Sequence, residues 1–340
     1  MTAGWLFLAT ALIAPGRLPA AITVGQSAGL SAAAAASGRP PECMTGSRRA
    51  IARGPSIWEA ARVPNLRRYC DLMARAQTQL AAQPDAAKAS ALEADKALPG
   101  RPAPAVVVAR ASLALGALPE AASAFEKARG LDPRSVEDPS TMHDLARVLA
   151  RTGKRDEALG VYRALVPRVD LLGTTDRRVS VLLEAAHVSM AAEAAGTATP
   201  PADVGKKTPR ARLDEAVAYL REARQRPPTQ LSSDVLLSLA LVLDRKGDRE
   251  EADAAIAEAQ RTGAKIRAAA LDYLAAPEDG AALAALAAEG TDRAAAQKGW
   301  ESYLAGPGGK GPWAAAARAR IELLKKGGGA ASPAKKGGSR

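Results

Sequence analysis

The sequence predicts an all-α fold in which antiparallel helix pairs stack side by side as a solenoid. Three observations carry this. Ala and Leu dominate with Arg, Glu and Lys, the good helix formers, and aromatic residues make up only 3% of the 340. No run of Val and Thr alternates with period two, so no sheet is expected. "GALPEAASAFEKARGLDP" from Gly116 and "GKRDEALGVYRALVP" from Gly153 share one spacing. In each, a Gly is followed five residues on by Ala, four later by a large ring, and three later by a small or apolar residue.

Taken in chain order, the elements begin with residues 1–21, where an apolar stretch from Trp5 to Ala14 precedes small residues and Pro. That is the length of a signal-peptide core, too short to span a bilayer, although no Lys or Arg precedes it. Export is the preferred reading, with a periplasmic or secreted product. An Ala-rich cytoplasmic terminus is the alternative. Residues 22–54 read as a low-complexity, irregular strap. Cys43 and Cys70 flank the segment containing Trp58. In an oxidising compartment a disulfide between them is expected, with about 3 kcal/mol of loop-closure stabilisation. Two unrelated small hydrophobes would be the plainer explanation.

The helical region is expected to span 55–325. One repeat is predicted at 103–135, with Val108, Ala109, Gly116, Ala121, Phe125 and Ala128 in register. The next, 140–168, aligns Leu145, Ala146, Leu149, Gly153, Ala158, Tyr162 and Leu165. A third, 180–224, places Ala216, Leu220 and Ala223 on its second helix, behind a Pro- and Gly-containing insertion at 197–209. The fourth, 234–263, aligns Leu239, Ala240, Leu243, Gly247, Ala252, Ile256 and Ala259. Degenerate copies are expected at both ends, with Trp300 and Tyr303 in the bulky role near the C-terminus. In this scheme Gly ends the first helix in a left-handed conformation, Ala permits close helix crossing, and the larger residue fills the space between pairs.

These residues resemble the tetratricopeptide repeat, a helix-turn-helix of about 34 residues. The chain departs from that pattern at the first helices, where Val, Met, Ala or Leu replaces the usual leading aromatic. The resemblance implies a right-handed solenoid whose first helices line a concave, peptide-binding groove.

Charge and composition narrow the function classes. The formal charge is +11, but the tail at 326–340 and its preceding Lys325 supply five positive charges and no negative ones. The Gly, Ser and Pro content of that tail predicts disorder. Elsewhere basic residues are mixed with acidic ones and lack interleaved aromatics, which argues against nucleic acid. "GQSAG" at Gly25–Gly29 matches a nucleophile elbow without the strand, helix and partners that one needs. "GPGGKGP" around Lys310 lacks phosphate-loop spacing and reads as a connector. His143 and His187 fall on different repeats without Cys clusters, so neither metal nor cofactor is expected. Glu250 and Glu251 suit a helix N-terminus.

What remains is a non-catalytic scaffold for protein or peptide partners, carboxylate bearers among them, with no stable membrane insertion. Its groove is expected to use Val106 and Arg110, then His143, Arg147 and Arg151, then Leu237, Leu241 and Arg245. The guanidinium groups would take a partner's carboxylates through forked, charge-assisted hydrogen bonds. A solvated face is the plainer alternative. A second reading is an assembly subunit of an envelope or secretion complex, joined end to end through Trp313, Ile321, Leu323 and Leu324. A third is a cytoplasmic regulator.

Overall fold

A computed structural model describes residues 40–43, 61, 64–196, 211–262, 274–289 and 291–326. The apolar leader, most of the strap with its "GQSAG", the 197–209 insertion and the basic tail beyond Lys326 lie outside the described residues.

The described residues form thirteen α-helices and no strand. They are α1 (Leu66–Gln79), α2 (Pro84–Ala97), α3 (Pro102–Ala114), α4 (Leu118–Leu131), α5 (Pro139–Arg151), α6 (Arg155–Leu165) and α7 (Thr175–Gly196). There follow α8 (Ala211–Gln225), α9 (Ser232–Lys246), α10 (Arg249–Arg261), α11 (Asp279–Ala288), α12 (Arg293–Ala305) and α13 (Ala314–Lys326). Up to α12 they pack as consecutive pairs, and the pairs stack: α3 on α5, α5 on α7, α7 on α9 and α9 on α11. The chain is a helical-repeat solenoid with a first-helix layer and a second-helix layer.

Helix ends follow local chemistry. Pro occupies the first turn of α2, α3, α4 and α5, where its missing N–H costs no hydrogen bond. The Asp138 carboxylate accepts from the Thr141 amide at the start of α5, and Asp292 accepts from the Ala295 amide at the start of α12. Gly116, Gly153 and Gly247 close α3, α5 and α9 with φ of 75°, 82° and 92°. At each, the following amide reaches back to a carbonyl in the last turn, Ala117 to Ser112, Lys154 to Leu149 and Asp248 to Leu243. This pairing of a left-handed residue with a long back-bond satisfies carbonyls that a helix end would leave open.

The recurring small and large residues lie where their spacing places them. Ala121, Ala158, Ala216 and Ala252 are fully buried, as are Phe125, Tyr162, Leu220 and Ile256 to within a few per cent. Each large side chain is worth about 1.5–3 kcal/mol in apolar burial, and none could be covered within its own pair. Trp300 and Tyr303 are buried at the C-terminal end and meet edge to face with centroids 6.1 Å apart. The loop 307–310 folds as a short 3₁₀ turn over Tyr303. A Cβ at Gly308 would collide with the Tyr303 ring, and one at Gly309 with the Leu304 carbonyl. Gly308 and Gly309 of "GPGGKGP" are therefore there for close approach.

Cys43 and Cys70 are disulfide-bonded, their Cα atoms 5.6 Å apart. The bridge fastens the short turn Pro41–Cys43 to α1, and the Tyr69 hydroxyl donates to Glu42 Oε1 at 2.6 Å beside it. Burial, then Glu42, pushes the Tyr69 hydroxyl pKa up.

Candidate functional site

The residues expected to line one groove divide between surface and interior. Arg151 is exposed, and Val106, Arg110 and Arg147 are half-buried. His143, Leu237, Leu241 and Arg245 are buried, which corrects the expectation of eight open contacts. The physical reason is that the face opposite the apolar stripe is covered in turn by the neighbouring first helix.

These side chains cross-link the first-helix layer, one interface after another. Arg110 Nε on α3 donates to Asp144 Oδ2 on α5 at 2.7 Å. His143 Nε2 on α5 lies 2.8 Å from Glu184 Oε2 on α7. His187 Nε2 on α7 lies 2.9 Å from Ser238 Oγ on α9. Arg245 on α9 grips Asp279 on α11 with both terminal nitrogens, Nη1 to Oδ2 at 3.0 Å and Nη2 to Oδ1. A register is visible: Arg110 and Arg147 both lie six residues before a turn glycine, and Asp144 and Ser238 both lie nine before theirs. In the α3–α5 interface the position six before the glycine, Arg110, reaches forward to the position nine before the next one, Asp144.

The second-helix layer is tied as well, by charges nearer solvent. Lys88 on α2 pairs with Glu120 on α4 at 2.6 Å, and Lys127 on α4 with Asp95 on α2 at 2.7 Å. Arg163 on α6 grips Glu215 on α8 at 2.7 and 2.8 Å. Arg221 and Arg224 on α8 reach Glu251 and Glu258 on α10 at 2.6 and 2.8 Å. Such exposed pairs contribute about 0–1 kcal/mol each and chiefly set register.

Glu184 is the centre of a buried polar cluster. Besides His143, it accepts from the Tyr162 hydroxyl at 2.9 Å and from Ser180 Oγ at 2.9 Å. Arg147 Nε stands 3.6 Å away. Burial alone would raise the carboxyl's pKa, but His143, Arg147 and the hydrogen bonds together hold it down at about 2. Tyr162 is pushed up, first by burial and then by the Glu184 charge. His187 is held down at about 4, chiefly by burial. Glu184 is satisfied by His143, Tyr162 and Ser180, and His187 bonds Ser238, which fits a packing role.

The C-terminal helices close over α9. Arg245 lies 5.3 Å from the centroid of the Trp313 ring, within cation–π range, and its side chain and that of Asp279 are each only 3% exposed. Arg320 on α13 donates to Asp244 at 2.7 Å, to Asp253 at 2.7 Å and to Glu289 at 3.2 Å. Trp300 Nε1 donates to the other Glu289 oxygen at 2.9 Å. Burial raises the Glu289 pKa despite Arg320. Trp313 and Ile321 are buried in this contact, and Leu323 stays exposed. The expected apolar end face is thereby corrected: its aromatic anchor points inward.

Two concave features of the described residues bear on the expected groove. A groove of about 290 Å³ lies between α2, α3 and α4, floored by Pro104, Ala105, Val108 and Ala124 beside the exposed Leu92. The second lies over Arg147, Arg151, Tyr162 and Val188 and leaves only about 10 Å³, room for one water at most. Leu274 and Ala275 form part of its wall. Sequence reasoning missed this contact, because nothing at position 274 signals proximity to residues so far upstream. Among the described residues no cluster of His, Cys, Asp and Glu could hold a metal ion, and no helix is long and apolar enough to cross a membrane.

Among solved structures, the chain is similar to the flexible tandem repeat domain from the C subunit of bacterial cellulose synthase, known from a crystal structure, at 20% identity. The match covers 75% of this chain and 96% of that one, with a TM-score of 0.24. No protein-family model matches, and no curated protein does.

Proposed function

We propose that this protein is a non-catalytic scaffold of tetratricopeptide type that holds protein partners in the bacterial cell envelope. The observation that carries the reading is the row of arginines, Arg110, Arg147 and Arg151, along the first-helix layer. Arg151 is exposed on this layer, with the Arg147 and Arg110 side chains 26% and 19% exposed beside it and paired with Glu184 and Asp144. Guanidinium groups arrayed on a rigid helix stack suit a carboxylate-bearing peptide, because their forked donors match carboxylate geometry. The Cys43–Cys70 bridge supports export, since such bonds persist in oxidising compartments, and so does the apolar leader. The assembly-subunit reading keeps Leu323 as its exposed apolar contact and loses Trp313 and Ile321 to the interior.

Site-specific photo-cross-linking in the native envelope tests the proposal. A photoreactive residue at Arg151, on the first-helix layer, is expected to give discrete protein adducts. The same residue at Arg129, exposed on α4, is expected to give none. Equal adducts from both, or adducts from position 129 alone, would remove the groove from the account.

A further inference from the structure

The narrow groove over α5, α6 and α7 raises the question of why Leu274 and Ala275 wall it. Leu274 and Ala275 belong to no helix and immediately precede the turn into α11, yet they line the same cavity as Arg147, Arg151, Tyr162 and Val188. The contact joins parts of the chain about ninety residues or more apart in sequence. It differs from the repeat interfaces, whose leucines are almost completely buried, because Leu274 packs on the core while staying half-exposed. The groove also retains polar capacity toward a backbone: Arg147 Nε is buried without a hydrogen bond, and its distance of 3.6 Å from Glu184 is an ion pair only. Downstream, the forked grip of Arg245 on Asp279 fixes where this segment enters α11.

We infer that the α5–α7 groove is a binding site for an extended peptide segment carrying a leucine followed by a small residue. It is filled in cis by the protein's own Leu274–Ala275. This deepens the scaffold reading and rests on it, by naming the kind of segment a partner would present. A tethered occupant acts at an effective concentration of the order of millimolar, so a partner binds by displacing it. Leu274 supplies the apolar anchor and the small Ala275 lets the backbone lie close to the helices, while the cis segment leaves Arg147 Nε without a hydrogen bond, a donor that a displacing partner's carbonyl can use.

The test uses the full chain and a fluorescently labelled synthetic peptide, LDYLAAPED, which copies residues 271–279. Leu274→Asp removes the anchor in cis, and Leu274→Ala does so more mildly. Circular dichroism is read on every variant. By anisotropy, the Leu274→Asp protein is expected to bind the peptide at least about tenfold tighter than the unaltered chain, and the Leu274→Ala protein to fall between them. The gain should vanish for a peptide with Asp at the Leu274 position, and Arg147→Gln in the opened protein should reduce it. Equal affinity for both proteins, or for both peptides, would overturn the inference. No cellular partner enters this measurement. Its failure would thus leave the scaffold reading to the cross-linking result, and failed cross-linking would not explain a bound peptide.

Discussion

Gly153 and Gly160 stand seven residues apart, and a Cβ would meet nothing within 4 Å at either. Their backbones make the outcomes opposite. Gly153 sits at φ 82°, where a side chain costs about 1–2 kcal/mol, so Gly153→Ala should destabilise by that amount in urea unfolding. Gly160 lies inside α6, where Ala restricts the unfolded chain, so Gly160→Ala should stabilise by about 0.5–1 kcal/mol. The turn role of Gly153 was legible from its spacing. The buried acid–base groups were not, since the fate of Glu184 depends on Tyr162 and His143 from two other helices. Two pH windows follow from those groups. His187, depressed from 6.5 to about 4, binds a proton more readily unfolded, so stability should fall as pH drops through that interval. Glu184, depressed from 4.5 to about 2, contributes stability that is lost between those values. Each effect is roughly 3 kcal/mol. Unfolding free energies measured across pH should flatten between 6.5 and 4 in His187→Gln and between 4.5 and 2 in Glu184→Gln.

At the level of helices, the pairing of α9 with α11 shows why the first-helix layer was only partly readable. Arg245 follows the helical period that assigns it to a groove, but its partners Asp279 and Trp313 come from segments beyond the last clear repeat. The apolar positions that build each pair repeat at local spacing, so Ala252 and Ile256 could be placed from sequence, whereas a cross-repeat ion pair leaves no local mark. The same contact yields a prediction. Asp279→Asn leaves the Arg245 charge buried without its counter-charge, and should cost about 3–5 kcal/mol. Limited proteolysis should then cut first within 279–326, because α11, α12 and α13 hang on α9 through this contact and through Arg320. Replacing both partners, Arg245→Met with Asp279→Leu, should cost much less. Equal losses in the single and double variants would show that the ion pair is not what docks α11.

For the molecule as a whole, the consequence of stacking is that stability accumulates over neighbours. The disulfide closes a separation of 27 residues and, in the loop-entropy model, contributes about 3.5 kcal/mol. In a one-dimensional stack its reduction should loosen α1 and α2 and leave α9 unaffected. The central helices α7 and α9 are buried on nearly every side, with an unbroken buried run from Asp234 to Arg245 in α9. Hydrogen exchange followed helix by helix measures this most directly. Amides of α7 and α9 should exchange slowest, with protection falling stepwise toward α1 and α13. One common rate across all thirteen helices, or α7 exchanging as fast as α13, would contradict a stack held together by successive neighbours.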